Sequence, residues 1–244
     1  MKDNYHKSLV SNSEHFEKYY KKSFQKTEQQ KFLESLLLKN ESNFSDLNIA
    51  DIACGGGSLS HHLNSIFNKT VFYLADYNQN AIQLAKQNNE FPNFKFFEDD
   101  IYQLNNFQKN FFDFVFCWQT LSWLDRPEDA LNSLLSITKP GGKLYLSSLF
   151  NLDFDVDVYS KIKDYSNENN VIDANYNTYS LKSVSKWLEG KVNNFSILPF
   201  QAPIDFEFSG RGIGTYTINS DRGKLQFSAG MHLNWGVLII EKKS

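Results

Sequence analysis

Asp51-Ile52-Ala53-Cys54-Gly55-Gly56-Gly57 closes a short apolar run that begins at Leu47, and it leads into a stretch of helical spacing from Ser58 to Phe67. Glycines at such a junction let the backbone approach a ligand closely, and the N-terminus of the helix that follows offers free N–H groups. A cofactor is expected there. The spacing is not that of the dinucleotide fingerprint GxGxxG: counted from Gly55, the third glycine position holds Ser60, and an acid, Asp51, stands four residues ahead. Outward from this turn, apolar runs recur at residues 71–75, 94–97, 112–117 and 143–148, with helical spacing at roughly 79–89 and 127–138. Strands alternating with helices imply βαβ units, a parallel sheet covered on both faces, and a ligand crevice at the carboxyl ends of the strands.

Acids stand at those ends. The second run closes on Asp76, at the distance from the glycines where such folds place a carboxylate for the two hydroxyls of a ribose. The third closes on Glu98-Asp99-Asp100-Ile101, which offers a carboxylate for an exocyclic amine and a backbone N–H beside it.

Taken together these stretches resemble the class I S-adenosylmethionine-dependent methyltransferases of small-molecule type. The resemblance covers residues 45–150, with Ala53 where the family usually has its first glycine. It implies Asp51, Ala53, Gly55 and Gly57 as the cofactor turn, Asp76 as the ribose acid with Tyr77 beside it, and Asp100-Ile101 as the adenine pair. Two further matching stretches are Phe112-Asp113-Phe114-Val115 and Lys139-Pro140-Gly141-Gly142-Lys143-Leu144, the latter read as the turn before the fifth strand. The implied fold is a doubly wound, Rossmann-like, seven-stranded α/β sheet whose last strand, residues 233–241, is antiparallel and lies beside the fifth. The implied cofactor is S-adenosyl-L-methionine, leaving as S-adenosyl-L-homocysteine.

Between Ser13 and Lys39, apolar side chains at spacings of three and four predict two amphipathic helices. The resemblance implies that they form an N-terminal cap over residues 1–40, with Tyr20 facing the cofactor. The core is taken as residues 41–150, and residues 151–244 complete the sheet within one domain. Residues 153–179 read as a polar segment, and a helix at 180–188 opens on Ser180 as N-cap. Strands are expected at 194–200 and 233–241, with an insertion between them. There, alternation on both sides of Ser220-Asp221-Arg222-Gly223 predicts a β-hairpin over the cleft.

Composition narrows the function classes. With 28 acidic and 25 basic residues the net charge is -3, which gives no field to hold a phosphate backbone, so no nucleic-acid partner is expected. The segment after the fourth strand, Cys117-Trp118-Gln119-Thr120, also lacks the [DN]PP[YF] loop of amino-methylating DNA enzymes. Cys54 and Cys117 are far apart, and the five histidines are scattered, so no metal site is expected, and the setting is read as reducing and cytoplasmic. No apolar stretch approaches a membrane span.

The chemistry of methyl transfer asks the protein mainly to align and desolvate. Cys117 and Trp118 are placed at the cofactor, and Trp118 and Trp123 at the substrate pocket. Gln119 is the residue expected to orient the nucleophile, and His232 the candidate base. Arg211, between two glycines in a chain with only three arginines, is the candidate grip on an anionic substrate. The reading is O-methylation of an anionic metabolite or a sugar- or phosphate-bearing intermediate; the alternatives are N- or C-methylation and a non-catalytic cofactor-fold protein. The sequence says nothing about oligomeric state.

Overall fold

The computed structural model describes residues 25–165, 172–208 and 214–244. Strands β1 (Asn48–Ile52), β2 (Val71–Asp76), β3 (Phe94–Glu98), β4 (Phe112–Cys117) and β5 (Thr138–Asn151) are joined in parallel. Further strands are β6 (Lys161–Asp164), β7 (Ile172–Asn175), β8 (Tyr179–Ser180), β9 (Val192–Pro199), β10 (Tyr216–Ser220), β11 (Gly223–Ser228), β12 (Met231–His232) and β13 (Trp235–Lys242). The main sheet runs β3-β2-β1-β4-β5-β13-β9, with β13 antiparallel to both neighbours, and the two residues of β8 add to the end of β5. The doubly wound α/β sheet of seven strands with an antiparallel last strand is therefore present.

Each strand sends alternate side chains to opposite faces, and each face is closed by helices. Ala50, Ile52, Val115, Leu144, Leu146 and Leu238 meet α4 (Pro127–Ile137) and α5 (Leu181–Leu188). Ile49, Phe72, Leu74, Phe114, Phe116, Tyr145 and Val237 meet α1 (Glu28–Asn40) and α2 (Ser58–Leu63). Helix α3 (Gln79–Asn88) follows β2, with Asn78 capping it through the N–H groups of Asn80 and Ala81. Burial on both faces explains why these strands read as continuous apolar runs.

Several elements differ from their sequence reading. Strand β5 begins at Thr138, so Lys139-Pro140-Gly141-Gly142 lies inside the strand as an irregularity in its pairing with β4, and Gly141 there takes φ 72°. The helix after the glycine turn ends at Leu63, ahead of Phe67. Within the segment read as merely polar, β6 and β7 pair antiparallel. Ser180 does cap α5, accepting from the N–H of Ser183. The hairpin β10–β11 turns at Asp221-Arg222 and continues into β12, and because β13 runs against the other strands, the whole insertion leaves β9 and enters β13 at the edge where β1–β5 end. The first of the two N-terminal helices, with Tyr20, lies outside the described residues. No helix among the described residues is long and apolar enough to cross a membrane.

At the opposite edge, where the strands begin, Asp113 accepts from the backbone N–H of Asn48 at 2.8 Å and from Lys139 Nζ at 2.6 Å. One carboxylate thus ties the starts of β1, β4 and β5. Replacing it, as Asp113→Ala, leaves a half-buried N–H unpaired, and urea unfolding is expected to show a loss of about 1–3 kcal/mol; an unchanged midpoint would show that the strand starts hold without it.

Candidate active site

The turn after β1 is built on left-handed backbone. Ala53, Gly55 and Gly57 take φ of 59°, 53° and 76°. Glycine adopts such angles without strain, whereas an alanine there costs about 1–2 kcal/mol, so Ala53 stands at a position that asks for glycine. Gly57 is required on a second count: a Cβ on it would fall 2.5 Å from Asn89 Nδ2, which donates to Ala85 O at 2.9 Å beneath the turn.

Two buried carboxylates flank this turn. Asp76, 8% exposed, accepts from the Gly55 N–H through Oδ2 and from the Asn78 N–H through Oδ1, each at 3.0 Å. Asp51, 1% exposed, accepts from Ser60 Oγ at 2.7 Å through Oδ2, while its Oδ1 is buried with no hydrogen-bond partner. Burial lifts its carboxyl from the ordinary 3.8 to about 7, the Ser60 hydrogen bonds opposing and Asp76 adding to the rise. Burial likewise pushes the Cys117 thiol up to about 12 and the Cys54 thiol well above its usual value, so neither is a thiolate.

At the end of β3 the structure separates two adjacent acids. Asp99 accepts three backbone N–H groups, from Asp100 at 2.9 Å, Asn105 at 3.2 Å and Asn106 at 2.8 Å, and so acts as a staple of its own loop. Asp100 accepts only the N–H of Tyr102, at 3.0 Å, which leaves it the carboxylate with capacity for a ligand. Ile101 is buried against the core beside Ala75 and Leu121.

Cys117, the last residue of β4, is buried in the core with Ala50, Val115 and Leu146, and Trp118 after it packs against the cluster that holds Leu33, Leu36 and Leu37 of α1, its indole Nε1 buried and unpartnered. Gln119 takes φ 55° and donates from Nε2 to Gln29 Oε1 of α1 at 2.9 Å. The same oxygen accepts Ser147 Oγ of β5 at 3.0 Å, and the neighbouring Gln30 donates to Ser58 Oγ, at the end of the glycine turn, at 3.2 Å. The N-terminal half of α1 thus covers the ends of β1, β4 and β5. Gln29, Gln30 and Ser147 were not among the sequence candidates. The signal available was the capping box, in which Thr27 accepts from the Gln30 N–H and the Gln30 side chain accepts from the Thr27 N–H, fixing where α1 starts.

Trp123 stacks on Tyr176, ring centroids 4.0 Å apart and 10° between planes, in a cluster with Leu149, Met231, Leu233 and Trp235. That cluster sits past the end of β4, against the last residues of β5, and joins the insertion to the sheet. His232 is exposed on β12, its ring 5.3 Å from that of Phe227, and the partial desolvation of the ring on that side lowers its pKa; no hydrogen bond ties it to Trp118 or Gln119. Tyr77 follows Asp76 directly and is half-buried. Arg211 and Tyr20 lie outside the described residues. A groove of about 230 Å³ lined by Glu41, Asp113, Lys139, Gly141 and Lys143 opens at the start of the strands, away from every candidate residue. Among the described residues there is no cluster of metal-ligating side chains.

A sheet of this order, with a glycine turn after its first strand and acids closing its second and third, is the frame of a class I methyltransferase. The chain belongs to the methyltransferase domain family, whose profile matches residues 43–194. A solved S-adenosylmethionine-dependent methyltransferase from Clostridium acetobutylicum superposes with a TM-score of 0.59 at 15% identity, over 97% of this chain and 99% of that one. The N-methyltransferase NodS from Bradyrhizobium japonicum, solved with S-adenosyl-L-homocysteine, gives 0.54 at 15% identity over 89% and 87%. In sequence, malonyl-[acyl-carrier protein] O-methyltransferase of Buchnera aphidicola is 26% identical over 199 residues, which is 80% of this chain and 77% of that protein. The first two curated relatives are matched over only 40% and 38% of their own length.

Two outcomes test the turn. Ala53→Gly is expected to raise stability by about 1 kcal/mol in thermal unfolding by releasing the left-handed alanine, and a lower melting temperature would show the turn unstrained. Asp51 holds its proton in the folded chain at pH values where the unfolded chain has lost it, so its contribution to stability is full below about pH 4 and lost as pH rises to about 7. The shift corresponds to something on the order of 4 kcal/mol. Asp51→Asn is expected to flatten the decline in stability between about pH 4 and pH 7, read by urea unfolding; an unaltered slope rejects the assignment.

Proposed function

We propose that the chain is an S-adenosylmethionine-dependent methyltransferase of a small anionic molecule, acting on oxygen, with a carboxylate as the acceptor. The observation that carries the cofactor assignment is the pair of buried carboxylates around the left-handed turn, one of them with an unpaired oxygen. Buried polar atoms are rarely left unpaired unless something else pairs them. The donor set fits the cofactor: Asp51 Oδ1 offers an acceptor for the amino group, Asp76 a carboxylate for the ribose hydroxyls, and Asp100 an acceptor for the adenine amine. When bound, S-adenosylmethionine supplies a methyl group on a sulfonium that is already an activated leaving group.

The work left to the chain is to align the acceptor and keep water out. Trp118, against the α1 cluster, and the Trp123–Tyr176 stack supply apolar walls past the end of β4. Among the described residues no histidine makes a hydrogen bond to the segment after β4. A carboxylate acceptor needs none, since it is ionised at neutral pH, whereas an alcohol would need a base. His232, exposed on the hairpin sheet, is therefore not required by this chemistry. The likeness to malonyl-[acyl-carrier protein] O-methyltransferase, whose name specifies oxygen transfer, supports the same choice.

S-adenosyl-L-homocysteine at 100 times its dissociation constant is expected to stabilise the protein by about 2.7 kcal/mol in thermal unfolding, NADH is not, and Asp76→Ala is expected to abolish the effect. The reverse ligand preference rejects the methyltransferase reading. With methyl-labelled cofactor and a panel of small carboxylic acids, label released as methanol by mild base marks an ester, and base-stable label moves the reaction to a hydroxyl oxygen, nitrogen or carbon.

A further inference from the structure

Gln29 is 6% exposed, and its carboxamide oxygen is the meeting point of three elements. It receives Gln119 Nε2 from the segment after β4 and Ser147 Oγ from β5, while the carbon skeleton belongs to α1. Cys117 pairs with Leu146 in the ladder, so Trp118 and Ser147 are the next residues on adjacent strands, and the Gln29 contact closes the gap where β4 stops and β5 continues. What it holds is strained: Gln119 is a non-glycine residue at φ 55°, and such residues persist where their surroundings over-determine them. Directly before it, Trp118 carries the unpartnered Nε1. The next residue of α1, Gln30, reaches the other side of the site at Ser58. Phe32, one turn on, lies 5.3 Å ring to ring from Phe200 at the end of β9.

We propose that Gln29 is a positioning residue for methyl transfer, holding Gln119 and Ser147 through one carboxamide so that the Trp118-Gln119 backbone is set in its left-handed conformation and the cap is fastened across the ends of β4 and β5. This rests on the methyltransferase reading and adds to it a residue that acts through Gln119 and Ser147. It follows that the segment after β4 loses its conformation when α1 lets go, and that cofactor affinity and cap closure are one equilibrium.

The test is calorimetric titration of the full chain with S-adenosyl-L-homocysteine. Wild type must bind first; no binding there removes the methyltransferase reading itself, and this inference with it. Given binding, Gln29→Ala is expected to weaken affinity about tenfold, with Leu38→Ala, on the exposed face of the same helix, as wild type. Gln29→Glu keeps an acceptor oxygen for both donors and is expected to recover most of the affinity. The double variant Gln29→Ala/Gln119→Ala is expected to bind like Gln29→Ala alone, as coupled residues do. Gln29→Ala that binds as wild type overturns the proposal, as does one that loses thermal stability without losing affinity. Additive losses in the double variant, or Gln29→Glu as weak as Gln29→Ala, overturn it too.

Discussion

The carboxylate of Asp76 is the constraint from which the site is assembled. It takes the N–H of Gly55 and that of Asn78, so one side chain at the end of β2 fixes the turn after β1 and starts the path into α3. Around it, backbone bonds from Cys54 N–H to Ala75 O at 3.0 Å and from Asp99 N–H to Asp76 O at 3.1 Å draw the ends of β1 and β3 to the same place. Together these bonds hold the turn in place although Ala53 within it bends left-handed, a conformation that costs a non-glycine residue energy. Without that compensation the chain would trade the cradle for an ordinary turn.

Against this fixed side stands a side held by neutral contacts. Gln29, Gln30 and Phe32 of α1 bridge to Gln119, Ser147, Ser58 and Phe200 through amides, hydroxyls and one aromatic pair. Each such bond is worth about 1 kcal/mol net, so the two walls of the cleft differ in stiffness.

The fold was legible in the sequence wherever burial forced a regular pattern. Strands β1, β2 and β4 and the second half of β5 are buried on both faces, and the glycine turn and the acids at β2 and β3 follow from chain order. The boundary at Thr138 was not legible, because Pro140-Gly141-Gly142 reads as a turn, and only pairing with β4 keeps it in the strand. The β6–β7 pair was missed because its strands are only four residues each, so the alternation in Lys161-Ile162-Lys163-Asp164 and Ile172-Asp173-Ala174-Asn175 is too short to stand out from the polar segment around it. In the site, Asp100 and Asp99 are equivalent in sequence, and only the three N–H groups that occupy Asp99 tell them apart. Gln29 was invisible for a plainer reason. A glutamine on a helix has no chemistry of its own, and its role arises from the 90 and 118 positions that separate it from Gln119 and Ser147.

The direction of β13 has one more consequence. Because it runs against its neighbours, the stretch between β9 and β13 begins and ends at the reactive edge, and it meets the sheet there through Trp235, Leu233 and Met231. No rung of the β5–β13–β9 ladder lies in that stretch, so the residues that gather at this edge and the residues that pair the sheet are contributed by separate, contiguous pieces of the chain.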